Sequence, residues 1–508
     1  MILKNSIQQK KVKDFFPLVV IFFVGLGLRF YYFPYELPLI VDSLSYFTYS
    51  TETVFLGHLP TIGVPANNGW SMFMSFWFSI VNLENTFQYM QLQRIISLSL
   101  SSLTVIPVYF LCRKFFNNKL AIVGASLFIF DPRIILNSLL GITEPLFILL
   151  STIALVLFLK YGRKEIIFSL ILVSFCTIIR SEGLFLFLAF IILFLIKFRA
   201  SKEIFKTLLP GVAIFLLILI PVMDYRIETT GTDSIFLRAS LGTSQTLSIA
   251  NQDGIEKITD GIELFVSYLG WIMIPGFIIF LPFGIVQFFR NRNKETNFII
   301  VVTLVSSIPI LYAYFVQAQD TRYLYVLYPI FCLLSLFAIQ KYISKFNRKD
   351  ILLSIIIVGI LVSSITFYEY KKIDFDKEKE LFEIGKITVD ITSGINSHPT
   401  ESRYTRVAQI PNEWPFVFHD DMYEIKIIST KGYENLENYI INSRNELTHV
   451  IVDSNDDLPE FLKDVYYNEE KYDYLQKIFD SKEKGYSHHM KIFEIDFQKL
   501  DNKMIGEI

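Results

Sequence analysis

Long apolar runs separated by short charged connections dominate the chain. A bilayer core takes roughly 20 mainly apolar residues per helix, fewer where the membrane is locally thin, and about eleven runs fit that rule. They are predicted at Phe15–Tyr32, Ile95–Leu111, Leu120–Phe130, Pro145–Leu159, Ile166–Ile179, Leu184–Ile196, Leu208–Val222, Leu264–Phe289, Phe298–Val316, Tyr323–Ile339 and Ile351–Phe367, with the third able to extend through Leu140. The connections are of two kinds. Cys112–Lys119, Lys160–Glu165, Lys197–Lys206, Arg290–Glu295 and Lys341–Asp350 are rich in Lys and Arg. The alternating ones carry isolated acids and arginines: Asp42, Glu144, Arg180 with Glu182, and Asp320 with Arg322. Since basic loops stay in the cytoplasm, the first set is cytoplasmic and the second lies together on the opposite face.

The basic stretch Lys4, Lys10, Lys11, Lys13 before the first span resembles the start of a secretory signal. Tyr31, Tyr32, Phe33 and Pro34 follow it instead of a small-residue cleavage site, so an uncleaved first helix with a cytoplasmic N-terminus is expected. Two long outer loops are predicted, 33–94 and 224–263. The first holds an amphipathic helix, Trp70–Val81, with Trp70 and Trp77 as interfacial anchors; the second is polar and rich in Gly, Thr and Ser, a mobile loop over a site. From Tyr368 to Ile508 the pattern changes. Helical segments (Glu378–Ile391, Tyr433–Ser443, Leu458–Phe479) alternate with β-rich ones (Thr405–Gln409, Glu424–Ser429, Thr448–Asp453, Met490–Phe497), which predicts a small α/β domain with a mostly parallel sheet. The expected organisation is thus a cytoplasmic N-terminus over 1–14, a transmembrane domain over 15–367 and a soluble extracytoplasmic domain over 368–508.

Composition agrees with the pattern. The 508 residues are 52% hydrophobic with 49 Phe and 27 Tyr, far more apolar than a soluble protein, and the net charge is −2. No nucleic-acid partner is expected; membrane lipids are. Cys112, Cys176 and Cys332 lie in or beside different spans, which suggests neither a disulfide framework nor a thiolate metal site. His488-His489 at a strand edge point to opposite sides, as solvated histidines rather than metal ligands.

Each candidate site residue has a structural reading beside its chemical one. Asp42, followed by Ser43, Leu44, Ser45 and Tyr46, suits a helix N-cap, or a general base held near a membrane. Glu144, in Gly141-Ile142-Thr143-Glu144-Pro145, suits helix initiation, or orientation of a substrate. Arg180 lies on the outer side, where topology supplies no reason for a cation, between two short spans. A recessed arginine needs an anion: Glu182, or a phosphate that its planar fork of donors matches. Gln317, Gln319, Asp320, Arg322 and Tyr323 repeat the arrangement at the start of a later span.

These residues resemble a family. An acid in a long loop after the first helix, a Gly-x-Thr-Glu-Pro turn, the Arg180-Ser181-Glu182-Gly183 turn and the Arg322-Tyr323 pair opening a helix that includes Pro329 are similar to the GT-C membrane glycosyltransferases. The resemblance covers Phe15 to about Phe367 and is to the family 39, protein O-mannosyltransferase-like branch. It implies a polytopic α-helical GT-C-like fold and transfer of a sugar from a polyprenyl- or dolichyl-phosphate donor to a glycan, lipid or protein acceptor on the outer face. By the same resemblance Asp42 matches the catalytic carboxylate, and Arg180 and Arg322 stand where such enzymes handle the lipid phosphate. Tyr46, Glu182, Asp320 and Tyr323 are secondary candidates. Two departures count against particular acceptors: Ser43 stands where many protein mannosyltransferases have Glu, and Asn412-Glu413-Trp414-Pro415 is not the Trp-Trp-Asp-Tyr-Gly motif of oligosaccharyltransferases. A divalent cation held by Asp42 and Glu144 is the less favoured option, since arginines can neutralise a departing monophosphate. The alternative is a multispanning transporter or flippase, against which stand nearly charge-free span centres and no detectable repeat.

Overall fold

The computed structural model describes residues 2–40, 42–61, 64–65, 67–198, 202–233, 254–291, 294–316, 318–371, 375–392, 430, 432–445, 447–454 and 458–506. It divides into two compact units. One comprises Met1–Pro34, Val41–Val81 and Leu92–Lys372; the other comprises Tyr35–Ile40, Asn82–Gln91 and Ile373–Ile508.

The larger unit is helical. It opens with α1 (Ile2–Tyr31), α2 (Asp42–Leu56) and α3 (Gly69–Ile80), then α4 (Thr86–Leu103), which belongs to this unit from Leu92 on, and α5 (Val105–Phe115); α4 and α5 run on as one apolar stretch. α6 (Asn118–Ile129), α7 (Pro132–Ser138), α8 (Glu144–Phe158), α9 (Arg163–Ile179), α10 (Gly183–Phe198) and α11 (Leu209–Thr230) follow. The remaining helices are Gly254–Met273, Phe280–Arg290, Lys294–Phe315, Tyr328–Ile343, entered through a 3-10 turn at Thr321–Leu327, and Lys349–Tyr370. Among the described residues five stretches are long and apolar enough to cross a membrane: Thr86–Phe115, Ile204–Thr230, Glu295–Phe315, Thr321–Ile343 and Lys349–Tyr370. Shorter apolar helices, including Phe15–Tyr31, Glu144–Phe158 and Gly183–Phe198, stand beside them.

Three expected segments are shaped differently. The extension of the third span through Leu140 is a bent pair, α6 and α7 meeting at 54°. The break is chemical: the Asp131 carboxylate accepts from the backbone N–H groups of Arg133 at 2.9 Å and Ile134 at 3.2 Å, and Pro132 starts the new helix, so α7 begins anew. The expected span Leu264–Phe289 is two helices separated by turns over 274–279. Pro275 disfavours helical backbone at Ile274, and Gly276 adds freedom just beyond it. The polar loop expected from Asp224 starts later, because α11 continues to Thr230 and ends on Gly231 with φ of 71°; residues 234–253 lie outside the described residues.

The smaller unit has an antiparallel sheet, which corrects the mostly parallel one expected. Strands β1 (His449–Asp453), β2 (Leu475–Asp480) and β3 (Met490–Ile495) lie in the order β1-β3-β2, with Ile451 opposite Ile492. The connection from β2 to β3 is too short for a helical crossover, so the strands pair as neighbours. The predicted helix Leu458–Phe479 divides accordingly into a helix, Glu460–Tyr467, and β2. Both sheet faces are covered. Val450, Val452 and Phe493 pack in one cluster with Tyr439, Leu462 and Leu500, while Ile451, Met490 and Ile492 pack in another with Ile384 of the helix Asp376–Thr392. That double burial explains why β1 reads as an apolar run and not as an alternation. His489 is also not a solvated histidine: its ring nitrogens lie 2.7 Å from the Tyr466 hydroxyl and 2.9 Å from Asp480. The expected strands Thr405–Gln409 and Glu424–Ser429, and the motif around Trp414, lie outside the described residues.

Candidate functional site

Two carboxylates enter the site from helix starts. Asp42 is the first residue of α2 and Glu144 the first of α8, where the positive end of the helix favours an anion. Pro145 sits in the first turn of α8 as helix-start chemistry predicts, yet the Thr143 hydroxyl caps nothing. It accepts from Arg180 Nη1 at 3.2 Å and donates to Glu144 Oε2 at 3.3 Å.

Arg180 ends α9 in extended backbone, with φ of −151°, and four of the five N–H groups of its side chain are engaged. Nη1 lies 2.5 Å from Glu144 Oε1, while Nη2 and Nε reach Glu182 Oε1 at 2.6 and 3.0 Å. The turn holding this arrangement closes because Gly183 has no side chain: a Cβ there would sit 2.4 Å from the Thr177 nitrogen. Glu144 is nearly sealed, its side chain 3% exposed, and that of Arg180 is 13% exposed. Burial works against the guanidinium charge, but the Glu182 and Glu144 carboxylates outweigh it and hold the Arg180 pKa above its ordinary value.

Arg322 is arranged in the same way in a wetter place. Asp320 caps the 3-10 turn by accepting from the Arg322 backbone N–H at 2.8 Å, and its other oxygen takes Nε at 2.5 Å. The two terminal nitrogens are thereby turned toward Asp42, whose Oδ2 accepts from both at 3.3 Å. The side chain of Asp42 is 51% exposed and that of Arg322 30%.

The two groups form one field. Arg322 interacts electrostatically with Glu144 as well as with Asp320 and Asp42. Tyr46, one turn along α2 from Asp42, feels Arg180, Glu144, Asp42 and Arg322 together; burial first, then the two carboxylates, push its phenol up to about 12, so it stays neutral. Tyr323 interacts with Arg180, Asp320, Glu182 and Arg322. All eight sequence candidates, Asp42, Tyr46, Glu144, Arg180, Glu182, Asp320, Arg322 and Tyr323, are therefore brought together; Gln317 lies outside the described residues.

Each carboxylate is already committed to a guanidinium, and among the described residues no group of three or more His, Cys, Asp or Glu side chains stands close enough to hold a metal.

Trp70 is not an interfacial anchor. It is fully buried, and its indole N–H donates to the Gly141 carbonyl at 3.2 Å. Sequence reasoning also passed over a second network, at the middle of α2: the Tyr49 and Tyr225 hydroxyls meet at 2.9 Å, Asn68 donates to Tyr49 at 3.2 Å, and buried Arg226 binds Asn68 and, at 2.9 Å, the Pro65 carbonyl. The Tyr225-Arg226 pair at the end of an apolar run was its only signal.

No protein-family model and no curated protein matches the chain. Solved structures do. The archaeal oligosaccharyltransferase AglB from Archaeoglobus fulgidus, in complex with an inhibitory peptide and a dolichol-phosphate, is similar with a TM-score of 0.53 and 11% identity, over 87% of this chain and 70% of that one. ArnT from Cupriavidus metallidurans in the apo state is similar with a TM-score of 0.56 and 10% identity, over 96% of this chain and 98% of that one; bound to undecaprenyl phosphate it gives 0.55 and 9%. The chain therefore has the GT-C fold of membrane glycosyltransferases. Its five long apolar stretches among the described residues are those of an integral membrane protein.

Proposed function

We propose that the chain is a GT-C glycosyltransferase of the family 39 type that moves a sugar from a polyprenyl- or dolichyl-phosphate donor to an acceptor hydroxyl. One observation carries the reading: a half-exposed carboxylate, Asp42, rests on the open edge of a guanidinium, Arg322, that a second carboxylate holds from behind. Displacing a sugar from a lipid phosphate needs a base for the attacking hydroxyl and a cation for charge gathering on the departing phosphate. Asp42 accepts the acceptor proton as its oxygen attacks the anomeric carbon. The C–O bond to the lipid phosphate breaks, its electron pair stays on the phosphate, and Arg322 receives that charge. A single displacement of this kind inverts the anomeric centre.

Arg180 and Glu144 contribute differently from the expectation of an equal clamp. Arg180 has four of its five donors committed, so its main part is to lend positive field and fix Glu144; Arg322 makes the direct phosphate contact. The proposed topology has eleven spans, a cytoplasmic N-terminus, and the site and C-terminal domain on the outer face of the cell membrane. The lipid phosphates named with AglB and ArnT are consistent with this donor class. The test is incubation of the purified protein with a panel of polyprenyl-phosphate sugars and glycan, lipid and peptide acceptors, read as sugar transfer. Movement of the lipid-linked sugar across vesicles without transfer makes it a transporter instead.

A further inference from the structure

The geometry points to Gln93 as the positioning residue that sets the spacing between Asp42 and Glu144; this role rests on the glycosyltransferase reading. Gln93 lies on α4, fully buried. Its amide nitrogen donates to two carbonyls from separate parts of the chain, Ser43 at 3.1 Å and Gly141 at 2.7 Å. Carbonyls only accept, so the orientation of the amide is forced: the NH2 group faces both, one hydrogen for each.

Each carbonyl belongs to a segment that carries a site carboxylate. Ser43 follows Asp42 in the first turn of α2. Gly141 begins the turn that delivers Glu144, and its positive φ of 76° is a backbone state that suits glycine. The Gly141 carbonyl accepts from Trp70 as well, and the next residue of α4, Arg94, donates through Nε to the Leu139 carbonyl at 3.1 Å. Two adjacent residues of one helix thus hold the turn before Glu144, and one of them also holds the start of α2.

Gln93 makes these two bonds while leaving its own acceptor unused: Oε1 is buried without a hydrogen-bond partner among the described residues. An unsatisfied buried acceptor opposes folding, so an apolar side chain of similar shape would serve packing better. What an apolar side chain cannot do is bind two carbonyls at one point. Catalytic groups held within a fraction of an ångström of their working geometry depend on such supports.

The test uses the full-length protein, the donor panel and the acceptor that wild type glycosylates. Gln93→Met keeps the shape and removes both bonds. We expect kcat about a hundredfold lower, with KM for the donor within about twofold of wild type and the thermal midpoint lowered by only a few degrees, the loss of two buried hydrogen bonds being partly offset by removal of the unpaired Oε1. Gln93→Asn keeps the amide but is one methylene too short to reach both carbonyls, and falls between. Wild-type kcat in Gln93→Met overturns the role, as does a change confined to KM and thermal midpoint. Failure of both variants to fold assigns Gln93 to packing and overturns it too. No transfer by wild type with any donor, or an undiminished rate in Asp42→Asn, defeats the functional reading itself; wild-type transfer lost in Asp42→Asn but kept in Gln93→Met defeats only this inference.

Discussion

Arg180 and Arg322 have the same local design and different surroundings. Each is held from behind by an acid two residues away on its own turn, Glu182 or Asp320, through Nε, and each aims its remaining edge at a carboxylate that begins a helix. Around Arg180 the bonds are short and the partner Glu144 is buried; around Arg322 the forward bonds are 3.3 Å and the partner Asp42 is open to solvent. A buried charge pair is costly to break, because removing one member leaves the other uncompensated. A solvated pair separates easily and leaves both members available for a ligand. Under the proposed function these similar motifs divide the labour: the first group holds shape and field, and the second meets the substrate.

The largest effect expected from that division is on chemistry at Asp42. Asp42→Asn removes the base and should lower kcat about a thousandfold in the transfer assay. Next is Arg180→Met, which strands Glu144 and Glu182 and should cost about 3–5 kcal/mol in denaturant or thermal unfolding. Adding Glu144→Gln and Glu182→Gln to it should restore much of the stability without restoring activity. If Arg180→Met leaves stability intact and weakens only donor binding, Arg180 is a ligand-binding arginine like Arg322 and the contrast collapses. A smaller change sharpens it: Asp320→Asn keeps an oxygen to cap Arg322 but removes the charge behind Nε. The donor KM should rise about tenfold, as loss of one charge-assisted hydrogen bond predicts.

Much of the candidate site was legible in the chain, and for a definite reason. Alternation of basic and non-basic connections singles out the sparse ionisable groups Asp42, Glu144, Arg180 and Arg322, and these are the ones that meet. The pairing of Arg180 with Glu182 was also open to inference, since both lie in one turn. Helix positions followed from apolar length, except where Asp131 with Pro132, or Pro275 with Gly276, interrupts an apolar run. The antiparallel sheet escaped because β2 follows a helix without a strong break, so its apolar residues merge with the helical pattern. Trp70 and Gln93 escaped for another reason. An indole or an amide on an amphipathic stretch reads alike at an interface or in a core, and only tertiary contact places both on the Gly141 carbonyl.

The smallest predicted effect is the most discriminating one. Asp42→Asn, nearly inactive, should change stability by about 1 kcal/mol or less, measured as unfolding midpoint in detergent at low and high salt. The Asp42–Arg322 contact is long and half exposed, so water replaces most of what the substitution removes. Arg322 also keeps Asp320, at 2.5 Å, when Asp42 loses its charge. The small loss should shrink further as salt rises, because screening weakens the wild-type pair and leaves the variant little changed. A loss of several kcal/mol would mean that Asp42 is a structural partner of Arg322 as Glu144 is of Arg180. In that case the inactivity of Asp42→Asn could follow from disorder at the start of α2, and the assignment of a base would have to rest on another carboxylate.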